Sequence, residues 1–121
     1  FPTRRSSDLT KSTVATLKIR PSIFDLIRNG IKEYEIRDSS LEGVDVICYL
    51  DSETGAFLGS YSVDGVERVG RSVDQQTIER SGVNADTFYE LFPPASVGGP
   101  DALWVAKLQN PVDINDALGI G

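Results

Sequence analysis

Apolar and polar positions alternate from the start of the readable pattern. In residues 14–20, VATLKIR, Ala15, Leu17 and Ile19 fall on one side and Val14, Thr16, Lys18 and Arg20 on the other. A period of two predicts a half-buried strand. Pro21 ends it, and Ser22 followed by Asp25 predicts a helix start of the capping-box type. Ile23, Leu26 and Ile27 then recur at helical spacing up to Gly30, a natural stop because glycine enters the left-handed region without a Cβ clash. So short a helix must be held by packing rather than by propensity.

Alternation returns in residues 33–37, with Glu33, Glu35 and Arg37 on one face and Tyr34 and Ile36 on the other. Residues 45–50 (DVICYL) and 56–69 (AFLGSYSVDGVERV) predict further strands. The second run is long for one strand, so Gly59 or Gly65 is expected to mark a bulge or bend. Residues 72–80 predict a weak helix. Asn84 caps another, with Phe88, Leu91 and Phe92 on one face and Pro93-Pro94 at its end. Residues 102–108 (ALWVAKL) predict a final apolar strand with Trp104 in the core, and residues 111–121 a trailing segment with one helical turn. About five strands interrupted by two or three short helices, without regular βαβ alternation, predict a small α+β barrel.

Composition narrows the chemistry. Lys and Arg number 12 against 18 Asp and Glu, a net charge of −6. Most of such a surface repels polyanions, so nucleic-acid contact is expected from a local pocket rather than a basic face. There is no histidine, which excludes Ser–His–Asp and Cys–His catalysis and imidazole metal sites within the chain. The single cysteine, Cys48, forms no intramolecular disulfide or thiolate cluster and is expected in the core. No metal and no cofactor are expected. No run reaches the roughly 18 apolar residues that span a bilayer, and no signal peptide is visible, so the expectation is a cytoplasmic protein without membrane contact.

The chemistry concentrates in Gly30-Ile31-Lys32-Glu33-Tyr34-Glu35-Ile36-Arg37. A cation–carboxylate–cation set of Lys32, Glu35 and Arg37 suits a polar, planar, partly anionic ligand such as a nucleotide. Arg37 would fork onto a carbonyl or phosphate while Glu35 accepts from an exocyclic amine. The same three residues also fit a surface ion pair that orders the helix–strand joint. Strict alternation sets Lys32 opposite Glu35 and Arg37, so convergence requires a kink after Gly30. Glu35 is expected to pair with Lys32 and keep it protonated, the wrong state for a general base.

Taken with the order of elements, this segment resembles the signature of ASCH domains of the PUA-like superfamily. The matching residues are Leu17-Lys18-Ile19-Arg20-Pro21, a short helix, and Gly30-x-Lys32-x-x-Glu35-x-Arg37. They continue with the hairpin tip Tyr49-Leu50-Asp51-Ser52, then Gly59 and Val63, and Ser81-Gly82-Val83 before Phe88 and Leu91-Phe92. The closing strand 102–108 precedes Asn110-Pro111, so the resemblance spans residues 14–111. It implies a PUA-like β-barrel with a cleft between the first helix and the 32–37 strand. Arg20, Lys32, Glu35, Arg37 and Ser52 are then expected to bind the ligand.

The resemblance implies a module that binds RNA or a modified nucleotide. It also admits a small amidohydrolase acting on an N4-acylated cytidine, with Lys32 catalytic and Glu35 or Glu79 in general acid–base roles. Glu35 stands where such enzymes carry a threonine nucleophile, and Ser81 falls near their glutamate. A third reading is a protein-interaction or regulatory domain whose cleft is unused. The sequence leaves protein partners and the oligomeric state open.

Residues 1–9, FPTRRSSDL, match in one reading frame the translated end of a common short-read sequencing adapter. They are expected to be a non-native, disordered leader with the natural amino terminus absent, and residues 10–121 to form one ASCH/PUA-like domain. Deleting residues 1–9 should leave the denaturant midpoint unchanged. A loss above about 1 kcal/mol would show that they pack on the domain.

Overall fold

The computed structural model describes residues 13–117, so the leader expected at residues 1–9 lies outside the described residues. Five strands form one sheet in the order β1-β3-β4-β5-β2. They are β1 (Val14–Ile19), β2 (Tyr34–Arg37), β3 (Val46–Asp51), β4 (Phe57–Gly70) and β5 (Ala102–Pro111). Four α-helices accompany them: α1 (Pro21–Arg28), α2 (Asp74–Ser81), α3 (Ala85–Leu91) and the four-residue α4 (Ile114–Ala117), the single turn expected near the end. Short 3-10 turns at Arg71–Val73 and Ala95–Val97 complete the fold. The α+β half-barrel matches the expected fold class.

β1 runs parallel to β3, and the other ladders are antiparallel. β4 is a single strand of 14 residues, broken in register between Tyr61 and Val63 and again between Val63 and Val66. Gly65 sits at the second break with φ +132°, a region closed to most side chains. A third irregularity between Tyr49 and Leu50 lies opposite Gly59. These bulges bend the sheet so that β1 and β2, at opposite ends of the order, approach each other. No ladder joins those two edges among the described residues; the Arg37 guanidinium crosses the gap to the Lys18 carbonyl oxygen at 2.9 Å.

The core divides into two clusters on either side of β2 and β5. Inside the curl lie Ile19, Leu41, Ile47, Tyr49, Ala106 and Leu108, closed by Phe24 and Ile27 of α1. On the outer side Ile36, Leu103 and Val105 pack with Phe88 of α3. Covered on both faces, β2 buries both Glu35 and Ile36, although its sequence alternates as a half-exposed strand.

Several local expectations change. α1 begins at Pro21 itself, with Arg20 as N-cap and no side-chain capping bond. Proline suits the first helical position because its missing N–H has no intrahelical partner there. Asp25 instead pairs with Arg28 at 2.6 Å, so the capping box expected from Ser22 and Asp25 does not form. The expected cap at Asn84 does form, its side chain accepting from the Thr87 N–H at 2.8 Å. Trp104 is half-buried at the margin of the inner cluster, not enclosed in it, whereas Cys48 is buried as expected.

Phe24 is the side chain that couples α1 to the sheet. Its ring meets Tyr49 and Tyr61 edge-on at centroid distances of 5.7 and 6.2 Å. A Cβ on Gly59 would stand 2.9 Å from the ring's Cζ, so glycine there is a packing requirement. Gly59→Ala should cost about 1–3 kcal/mol in chemical denaturation, since the Phe24 ring or α1 must shift to admit the methyl group. An unchanged midpoint would show that α1 can slide.

Candidate functional site

The left-handed turn at Gly30 (φ +77°) ends α1, and the N–H groups of Ile31 and Lys32 both donate to the Leu26 carbonyl, at 2.9 and 3.0 Å. Lys32 therefore precedes β2 and escapes its alternation. This is the kink that convergence with Glu35 and Arg37 required. Its Nζ donates to the Ser81 carbonyl oxygen, at the end of α2, at 2.8 Å. Gly82, with φ +76°, lies against its stem; a Cβ there would stand 3.0 Å from the Lys32 Cβ. Backbone conformation and space both call for glycine at that point.

Glu35 is 3% exposed and has both carboxylate oxygens engaged. Oε2 accepts from the Arg37 Nε at 2.6 Å, and Oε1 accepts from the Tyr49 hydroxyl, also at 2.6 Å. Arg37 lies two residues along the same strand face, so its guanidinium reaches the carboxylate without leaving the sheet. The Tyr49 hydroxyl stays protonated because burial, reinforced by the Glu35 charge, raises its pKa well above the usual value.

The expected Lys32–Glu35 ion pair is not present: the partner of Glu35 is Arg37. Lys32 is 7% exposed with no carboxylate in salt-bridge range among the described residues. Burial lowers its pKa, Glu35 opposes that shift, and the Arg37 charge adds to it. Burial thus works against the ammonium form that the expected ion pair would have secured. A buried cation without a counter-ion sheds its proton more readily than a solvated one.

These groups line one cavity of about 350 Å³. Its polar side is Lys18, Arg20, Lys32, Glu35, Arg37, Asp38, Ser52 and Ser81. Ile23 of α1, Val83, Leu91 of α3 and Phe92 supply an apolar wall. All five residues expected to bind ligand thus meet in one place. Arg20 is 55% exposed at its side chain and only loosely paired with Glu90, at 3.8 Å, so it remains available to a ligand. Glu79 does not join them; it is exposed on α2 and does not line the cavity.

Sequence reading passed over Lys18, although it shares the outward face of β1 with Arg20 and that alternation was a usable signal. It also missed Tyr49 as the partner of Glu35 and the Ser81 carbonyl as the partner of Lys32. Those contacts span 14 and 49 residues and leave no local trace.

No family model matches the chain, and no curated protein matches it in sequence. Solved structures do. The crystal structure of ASCH from Zymomonas mobilis aligns with a TM-score of 0.63 at 12% identity, over 86% of this chain and 76% of that one. A tyrosine-to-phenylalanine mutant of the same protein, ZmASCH, aligns at 0.66 with 12% identity, covering 86% and 78%. A serine-to-alanine mutant aligns at 0.66 with 11% identity, covering 88% and 78%. The half-barrel therefore shares its fold with these ASCH structures. No helix among the described residues is long and apolar enough to cross a membrane.

A lowered Lys32 pKa has a measurable consequence. Folding releases a proton from Lys32 between its folded and unfolded pKa values, so native stability rises with pH across that interval and falls as pH drops through the folded value. Lys32→Met lacks this term. The stability of wild type relative to Lys32→Met should therefore rise with pH on the approach to the ordinary lysine value of about 10.5, measured by urea denaturation. A difference independent of pH would show an ordinary, charged lysine.

Proposed function

We propose that the cleft binds a nucleobase-bearing ligand, either a modified nucleotide or a short RNA segment. One observation carries this reading: Arg20, Lys32, Glu35, Arg37 and Ser52, drawn from separate elements, line a single cavity opposite an apolar wall. Lys32 and Arg37 place N–H donors at the floor, suited to carbonyl oxygens of a base. Lys18 and Arg20, both exposed at the rim, suit a phosphate or ribose oxygen. Ile23, Leu91 and Phe92 offer a surface against which a planar ring loses water. With a net charge of −6, the chain favours such a local site over capture of a long polyanion.

The amidohydrolase reading has less support. Glu35 carries no free carboxylate oxygen for a base role, and Glu79 lies away from the cleft. A protein-interaction role without use of the cleft would leave the clustering of cations in the cavity unexplained.

A thermal-shift and calorimetric series of free and modified nucleosides and their 5′-monophosphates tests the proposal. A nucleoside should bind with little salt dependence, and the monophosphate should gain affinity that salt weakens. Arg20→Glu should remove that gain, about tenfold, and leave nucleoside affinity in place, because Arg20 is at the rim. No binding by any member would overturn the cleft as a nucleotide site. Turnover of an N4-acylated cytidine, abolished in Lys32→Ala, would overturn binding without chemistry.

A further inference from the structure

Lys32 is unusual among the cations of this cavity. Arg37 has the Glu35 carboxylate as partner and Arg20 faces Glu90, whereas among the described residues the Lys32 Nζ has a single neutral acceptor, the Ser81 carbonyl. Its stem is wedged against Gly82, which limits alternative placements of the side chain. Charged groups share its cavity from several elements. Glu35 and Arg37 act from β2, and the rim cations Lys18 and Arg20 share the cavity from the end of β1. Asp38, also at the cavity, is exposed to water and screened. Burial and the Arg37 charge disfavour an ammonium there while Glu35 favours one, and in its neutral form the amine presents a lone pair to the cleft.

We propose that Lys32 is a carbonyl-reactive amine that forms an imine with an aldehyde or 2-oxo acid carrying an adjacent carboxylate. The carboxylate of such a molecule matches Arg37, whose Nη1 has no protein acceptor among the described residues, and the rim residues Lys18 and Arg20. The Lys32 nitrogen adds to the carbonyl carbon, forming the C–N bond while the C=O π pair moves to oxygen. A proton passes from nitrogen to that oxygen, giving a carbinolamine. Loss of one water then leaves the C=N bond. No oxidant or reductant is consumed. Arg37 supplies positive charge where oxyanion character develops during addition. The proposal deepens the reading of the cleft as a small-ligand site and rests on it, but it does not require that the ligand be a nucleotide.

The test uses the whole chain with glyoxylate as probe and borohydride to reduce any imine to a stable secondary amine. Peptide mapping by mass spectrometry then reads a carboxymethyl group at each lysine. Lys32 should be labelled in preference to Lys11, Lys18 and Lys107, by about tenfold near neutral pH, despite its burial. Labelling at the other lysines with none at Lys32 would overturn the proposal, as would equal labelling of all of them. The two readings of the cleft fail separately. Nucleoside binding without Lys32 labelling would sink the imine chemistry alone, and selective Lys32 labelling without any nucleoside binding would sink the nucleotide reading alone.

Discussion

The carboxylate of Glu35 is the constraint around which this domain is arranged. Removing an ion of that size from water costs several kcal/mol, and it is tolerable only where every lone pair that matters finds a donor. Here the donors come from two directions. Tyr49 reaches it from β3, on the far side of the inner core, and Arg37 from the same strand. Arg37 then spends a second N–H on the Lys18 carbonyl of β1. One buried charge thus fixes β1, β2 and β3 relative to one another, across the gap where the half-barrel has no ladder. A neutral residue at position 35 would leave the guanidinium without its anion and weaken the bridge between the sheet edges.

Competition for that carboxylate also decides the character of the cleft. Two cations, Lys32 and Arg37, lie near one anion. Arginine wins on geometry and hydration: it sits on the same strand face and its planar fork is more weakly hydrated than an ammonium. Lysine is left with a backbone carbonyl, in a place that water scarcely reaches. The arrangement separates two roles that a sequence motif alone merges. Arg37 is paired with Glu35 and bridges to β1, whereas Lys32 has no ion pair among the described residues and bonds the Ser81 carbonyl.

Much of this was legible from the sequence because it is local. Strand alternation in β1, the stop at Gly30, the Asn84 cap and the bend at Gly65 each follow from a few neighbouring residues. So did the meeting of Arg20, Lys32, Glu35, Arg37 and Ser52, once the order of elements was joined to the Gly-x-Lys-x-x-Glu-x-Arg spacing. What was not legible depends on distant partners. Alternation told that Glu35 and Arg37 share a face, but it could not tell that α3 covers the opposite face and so drives Glu35 inward. Nor could it tell that Ser81 would approach Lys32 in place of Glu35. Pro21 was misassigned for a different reason: proline ends strands and begins helices, and the two readings differ by one position.

The contrast between the acidic chain and its cationic cavity follows from the same geometry. A net charge of −6 is spread over the surface, where water and salt screen it, while Lys18, Arg20, Lys32 and Arg37 gather at a concave site of about 350 Å³. Field lines concentrate in such a cleft because its apolar wall excludes water, so a few cations dominate locally over many distant carboxylates. Under the proposed function, a small ligand would experience the cavity, whereas an extended polyanion would meet the repulsive exterior first. The volume is close to that of a single nucleoside-sized molecule, at the lower end of ordinary ligand pockets. Under the proposed function, size and depth would set selectivity, because the donors that the Glu35–Arg37 pair holds in place lie within the concave site.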